Sequence, residues 1–149
     1  MDIESLLKSL NGHAVEYVII GASAFPVYGY SRSTLDLDIF VRPERENAQR
    51  TLQALREFGF DVTSITVEDI LQYKLLIREY LVDVDVHPFV TGVTFEEVWR
   101  NRRQDEFGGT PAVFASFDDL IKMKEAADRP KDRDDLEHLY AIRARRDSQ

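Results

Sequence analysis

Apolar positions along the chain alternate between two periods. Ile3, Leu6, Leu7 and Leu10 recur at helical spacing, and Asn11-Gly12 ends that helix. Residues 15–20 are apolar and rich in β-branched side chains, which predicts a buried strand closing at Gly21. Small residues over 22–30 predict a short helix, with Pro26 tolerable only in its first turn and Gly29 as its end. A loop over 31–34 leads into residues 35–41, a strand in which Asp36 and Asp38 alternate with Leu35, Leu37 and Ile39. An amphipathic helix is predicted over 44–58 through Ala48, Leu52, Leu55 and Phe58, with Gly59 as its stop. A short helix follows over 67–73, then strands over 75–78 and 80–87. Thr94 caps a helix over 95–103, with Glu97 in the capping-box position. Gly108-Gly109 marks a hairpin within 106–114. Ser116 caps a helix over 117–127, Arg129-Pro130 breaks the chain, and Asp132 caps a last helix reaching about residue 146. Helices and strands intermix throughout, so the expected class is α+β (mixed α/β). It has a small mixed β-sheet flanked by helices and a helical C-terminal part over about 116–146.

Composition narrows the function. The 149 residues carry a net charge of −8, 44% hydrophobic residues and no cysteine. That length and apolar fraction support one domain over 1–149 with a real core, not a disordered chain. The absence of cysteine excludes a disulfide framework, a thiolate metal site and a cysteine nucleophile. No apolar run is long enough to span a bilayer, and no basic leader opens the chain, so no membrane partner and a cytoplasmic location are expected. Net acidity disfavours a general nucleic-acid coat. It is uneven: residues 60–99 hold eight acids against two bases, whereas 100–149 are balanced.

Asp36 and Asp38 interrupt one apolar strand, and Asp83 and Asp85 another. Strand interiors are depleted in aspartate, and a buried carboxylate without a partner is costly. Aspartates two apart on a strand share a face, and a third from a neighbouring strand completes a cluster of like charges. Such a cluster needs protonation, a basic partner or a metal. Oxygen donors without thiolate suit Mg²⁺ or Mn²⁺ rather than zinc. The competing reading is a wetted sheet face with its aspartates turned outward.

The order Gly21-Ala22-Ser23-Ala24, then Arg32-Ser33-Thr34-Leu35-Asp36-Leu37-Asp38, resembles the signature of the nucleotidyltransferase superfamily. It is similar in particular to small bacterial members of the AbiEii toxin type. Asp85 with Gly92 and Phe95 resembles that group's third acidic strand and following helix. Lys124, Arg129-Pro130-Lys131-Asp132 and Asp135-Leu136 resemble its C-terminal segment. The resemblance spans residues 15–140 and implies transfer of a nucleoside monophosphate from an NTP to a hydroxyl acceptor, with Mg²⁺ or Mn²⁺ as cofactor. It implies Asp36, Asp38 and Asp85 as catalytic and metal-holding carboxylates, with Asp85 preferred over Asp83 by its spacing to Gly92. Gly21, Ala22 and Ser23 would form the phosphate turn, with Arg32, Lys124 and Arg129 as phosphate contacts. Ala22 departs from the usual Gly or Ser, and Ser23 offers the hydroxyl one residue later. The acceptor expected is RNA, a protein or a small molecule, in a toxin–antitoxin or defence setting, with an antitoxin or a second copy as partner. The alternative is a catalytically lapsed module that binds or regulates. His87 reads as a neutral surface histidine, with metal ligation its second reading.

Overall fold

The computed structural model describes residues 2–31, 36–79 and 82–148. Among these residues, six α-helices, α1 (Ile3–Gly12), α2 (Arg45–Phe58), α3 (Val67–Gln72), α4 (Phe95–Arg100), α5 (Phe117–Ala127) and α6 (Pro130–Asp147), accompany six strands. The strands are β1 (Tyr17–Ile20), β2 (Asp36–Val41), β3 (Leu75–Arg78), β4 (Asp83–His87), β5 (Arg103–Phe107) and β6 (Thr110–Phe114). They form one mixed sheet in the order β3-β4-β2-β1-β6-β5. β2 pairs antiparallel with β1 and parallel with β4, and β1 pairs parallel with β6. The mixed α/β class expected from the pattern is the class observed.

Residues directly opposite in register share a sheet face. Leu37, Ile39, Val41, Val84 and Val86 therefore point one way, and all are fully buried. α1 packs on α2 and on β6 over the same core, contributing fully buried Leu6, Leu7 and Leu10. Asp36, Asp38, Phe40, Asp83, Asp85 and His87 point the other way. The sheet is apolar on one face and acidic on part of the other, and the acidic part sits on its two adjacent parallel strands.

Three local expectations need correction. The segment after β1 is a 3-10 helix over Gly21–Tyr28 rather than an α-helix, with Pro26 inside it. Proline there would cost an α-helix a hydrogen bond and clash with the preceding turn. α4 stops at Arg100, because Arg103 begins β5, which the Gly108-Gly109 turn joins to β6. Both turn glycines have positive φ, 60° and 103°, as a tight hairpin requires. Finally, Asp132 is not the residue that begins α6. Arg129 is its N-cap and Pro130 its first residue, so Arg129-Pro130 follows the break after Ala127 and itself starts α6. Among the described residues, no helix is long and apolar enough to cross a membrane.

Candidate active site

β2 and β4 run parallel with Asp36 opposite Asp83 and Asp38 opposite Asp85. A cavity of about 280 Å³ opens over this face. Asp36, Asp38 and Asp85 line it from the strands, Gly21 and Ala22 from the turn after β1, and Lys124, Arg129, Lys131 and Asp132 from the α5–α6 junction. Seven of the nine site residues that the resemblance implies, all but Ser23 and Arg32, thus meet around one space. Ser23 does not line it. That side chain is buried, and its hydroxyl donates to the Ile20 carbonyl at 3.3 Å. Arg32 lies outside the described residues. Asp83 does not line the cavity, whereas Asp85 does and is only 7% exposed.

Gly21 is fitted to the acidic strand. Its φ is +68°, and a Cβ placed there would lie 3.0 Å from the Asp38 Oδ2. Both the backbone angle and the closeness of the carboxylate call for glycine. The chain can therefore turn out of β1 directly against Asp38, which the neighbouring strand presents beside Ile20.

The electrostatics of the strand cluster are strained. Burial pushes the Asp36 carboxyl above its ordinary pKa, Arg78 opposes this, and Asp85, Asp83 and Asp38 add to it. Asp85 accepts a 2.6 Å hydrogen bond from Arg78 Nη1, and Lys74 Nζ lies 3.8 Å from its other oxygen. His87 Nε2 sits 2.9 Å from Asp38 Oδ1. Asp38, Asp85 and His87 each offer one ligand atom, all within 4.8 Å of one another. Two carboxylates and an imidazole with no thiolate fit a divalent cation by the chemistry of the donor set.

The α5–α6 corner is built differently. Lys124 Nζ contacts Asp132 Oδ1 at 3.0 Å and Asp135 Oδ2 at 3.2 Å, and its side chain is only 12% exposed. Asp132 is fully buried. It accepts from the Arg129 backbone N–H at 3.0 Å and from Arg129 Nε at 2.7 Å. Burial pushes the Asp132 carboxyl up, but the bonds from Arg129 and Lys124 outweigh it and hold it far below the ordinary range. The Lys124 ammonium reaches the cavity wall already paired. Arg129, with a side chain 57% exposed, keeps guanidinium surface facing solvent.

The sequence reading missed two neighbours, Lys74 and Arg78, and placed His87 first at the surface, with metal ligation its second reading. His87 is carried by the same two-residue period that links Asp83 to Asp85, so an Asp-x-Asp-x-His face was available as a signal. Lys74 and Arg78 reach Asp85 from β3 through the antiparallel register that sets Leu76 opposite Asp85. No local pattern announces that pairing.

A family model described as a nucleotidyltransferase of unknown function (DUF6036) matches residues 1–144. A search of curated proteins finds no match to the chain.

Proposed function

The chain belongs to this family of nucleotidyltransferases of unknown function, and from that premise we propose that it moves a nucleoside monophosphate from an NTP onto a hydroxyl acceptor. The observation that carries the reading is the Gly21 turn lying against Asp38 in the cavity that Asp36, Asp85 and Arg129 also line. The acceptor oxygen attacks the α-phosphorus, the bond from that phosphorus to the bridging oxygen breaks, and pyrophosphate leaves. The Asp85 carboxylate takes the acceptor's proton. Asp36, Asp38 and Asp85 would hold Mg²⁺ or Mn²⁺. A cation bound there supplies Lewis-acid polarisation and charge neutralisation at the phosphates. Gly21, having no side chain, lets the phosphate chain approach the backbone, with the methyl of Ala22 beside it. Arg129 and the exposed Lys131 meet the phosphate oxygens, while Lys124, paired to two aspartates, positions the α5–α6 wall. The acceptor is an RNA, a protein or a small molecule, and a toxin–antitoxin or defence role with an antitoxin or a second copy as partner belongs to the same proposal.

A second reading has its own support. Arg78 and Lys74 already neutralise Asp85, and Ala22 lines the turn, as a lapsed module that binds neither metal nor NTP at the aspartates would tolerate. Incubation with labelled NTPs, Mg²⁺ or Mn²⁺ and candidate acceptors separates the two. Transfer is expected in the wild type. Asp85→Ala should lose it by about a thousandfold, and Asp83→Ala should keep most of it. Equal losses in the two variants would remove Asp85 from its role. Absence of both transfer and an NTP-dependent thermal shift would favour the lapsed module.

A further inference from the structure

We propose that His87 is a direct ligand of the divalent cation, making this a mixed nitrogen–oxygen site that favours a first-row transition ion such as Mn²⁺ over Mg²⁺. The proposal rests on the cation site read above and adds the identity of a ligand and its consequence for the metal.

Parallel pairing sets His87 opposite Phe40, one pleat beyond the Asp38–Asp85 pair. Phe40 has no donor atom, is 1% exposed and packs edge-on against Phe95 at 5.2 Å. β2 therefore offers no third ligand at this level, and β4 offers an imidazole. The spacing suits ligation. Two neighbouring ligands of an octahedral ion with bonds near 2.1 Å lie about 3 Å apart. The Asp38 Oδ1 to His87 Nε2 distance is 2.9 Å, and the Asp85 oxygen falls within 4.8 Å of both ligand atoms. Asp36 is not part of this set, although it lines the same cavity. The His87 side chain is 16% exposed, so the ring is held by its surroundings.

The chemical consequence follows from donor type. Mg²⁺ prefers oxygen and retains its water. An imidazole nitrogen strengthens binding of first-row transition ions and does little for Mg²⁺. One histidine among carboxylates thus shifts preference without closing the site to either ion. The rival role for His87 is to donate a hydrogen bond to Asp38 and orient it, with no bond to metal.

Mn²⁺ alone, added without nucleotide at fixed pH, discriminates. Pulsed electron paramagnetic resonance of Mn²⁺ bound to the wild-type protein should show ¹⁴N coupling from a coordinated imidazole. His87→Asn should lose that coupling. His87→Asp, which restores an all-oxygen site, should lower the ratio of Mn²⁺ to Mg²⁺ affinity by at least about tenfold, the scale on which even an outer-shell partner matters. Circular dichroism confirms that both variants fold, and the wild-type spectrum stands without them. Bound Mn²⁺ lacking ¹⁴N coupling, or an unchanged affinity ratio in a folded His87→Asp, overturns the role of His87 and leaves the cation site intact. Failure of the wild type to bind either ion overturns the cation site and this inference with it.

Discussion

Two clusters of aspartate meet at one cavity, through Asp132 on one side and Asp36, Asp38 and Asp85 on the other, and they handle charge in opposite ways. At the α5–α6 corner, Asp132 and Asp135 are met by Lys124 and Arg129, so acids and bases balance within the chain. Across β2 and β4, Asp36, Asp38, Asp83 and Asp85 share one sheet face, and the cations contacting Asp85 are Lys74 and Arg78. Burial and like charge together raise the Asp36 carboxyl, whereas donated hydrogen bonds lower that of Asp132. The first cluster is completed by the fold. The second, in the proposed reading, is joined by a bound cation as well as by the Lys74 and Arg78 contacts to Asp85, and that would distinguish a ligand site from a structural network.

The contrast can be broken by mutation. Asp38→Asn should reduce nucleotide transfer by about a thousandfold or more, since several kcal/mol of charge stabilisation would depend on the cation it is proposed to hold. The same variant should unfold in urea no earlier than wild type, because it relieves like-charge repulsion. A large loss of stability would make the strand cluster structural after all.

Asp132→Asn should do the reverse. Removing one member of a buried ion pair leaves Lys124 undercompensated and should cost about 3–5 kcal/mol in urea unfolding at neutral pH. The pH dependence has a definite sign. The folded carboxyl lies below its unfolded value, so its stabilisation is complete above about pH 4 and drains as pH falls further. The stability gap between wild type and Asp132→Asn should therefore narrow below about pH 4. A gap constant with pH would remove the ion-pair explanation.

Gly21→Ala should cost less in folding than Asp132→Asn, about 1–2 kcal/mol for a side chain at positive φ. Its Cβ would meet the Asp38 carboxylate at 3.0 Å, so NTP and metal affinity measured by calorimetry should fall as well. Unchanged affinities in the folded variant would separate the turn from the site.

Much of this contrast was legible before the fold was known. The period-two alternation placed Asp36 with Asp38, and Asp83 with Asp85, on single strand faces. Gly21 declared its turn by ending an apolar β-branched run. Which carboxylates meet was readable only through the resemblance and not from the pattern, because the parallel pairing of β2 with β4 joins strands more than forty residues apart. Arg78 and Lys74 were hidden for the same reason, through the register of β3. Asp132 was readable as part of a helix start, but its place three residues inside α6 depended on Pro130 beginning the helix. Its burial against Lys124 depended on how α5 and α6 pack. His87 carried a local signal for its second reading, metal ligation, since it continues the Asp83–Asp85 face.

The most direct measurement is a crystal structure with Mn²⁺ and a non-hydrolysable NTP, with the ion located by its anomalous scattering. The predicted result is an anomalous peak among the carboxylates of Asp36, Asp38 and Asp85, with the phosphates between the Gly21 turn and Arg129. A nucleotide bound elsewhere, or no ion among these carboxylates at saturating Mn²⁺, would contradict the account.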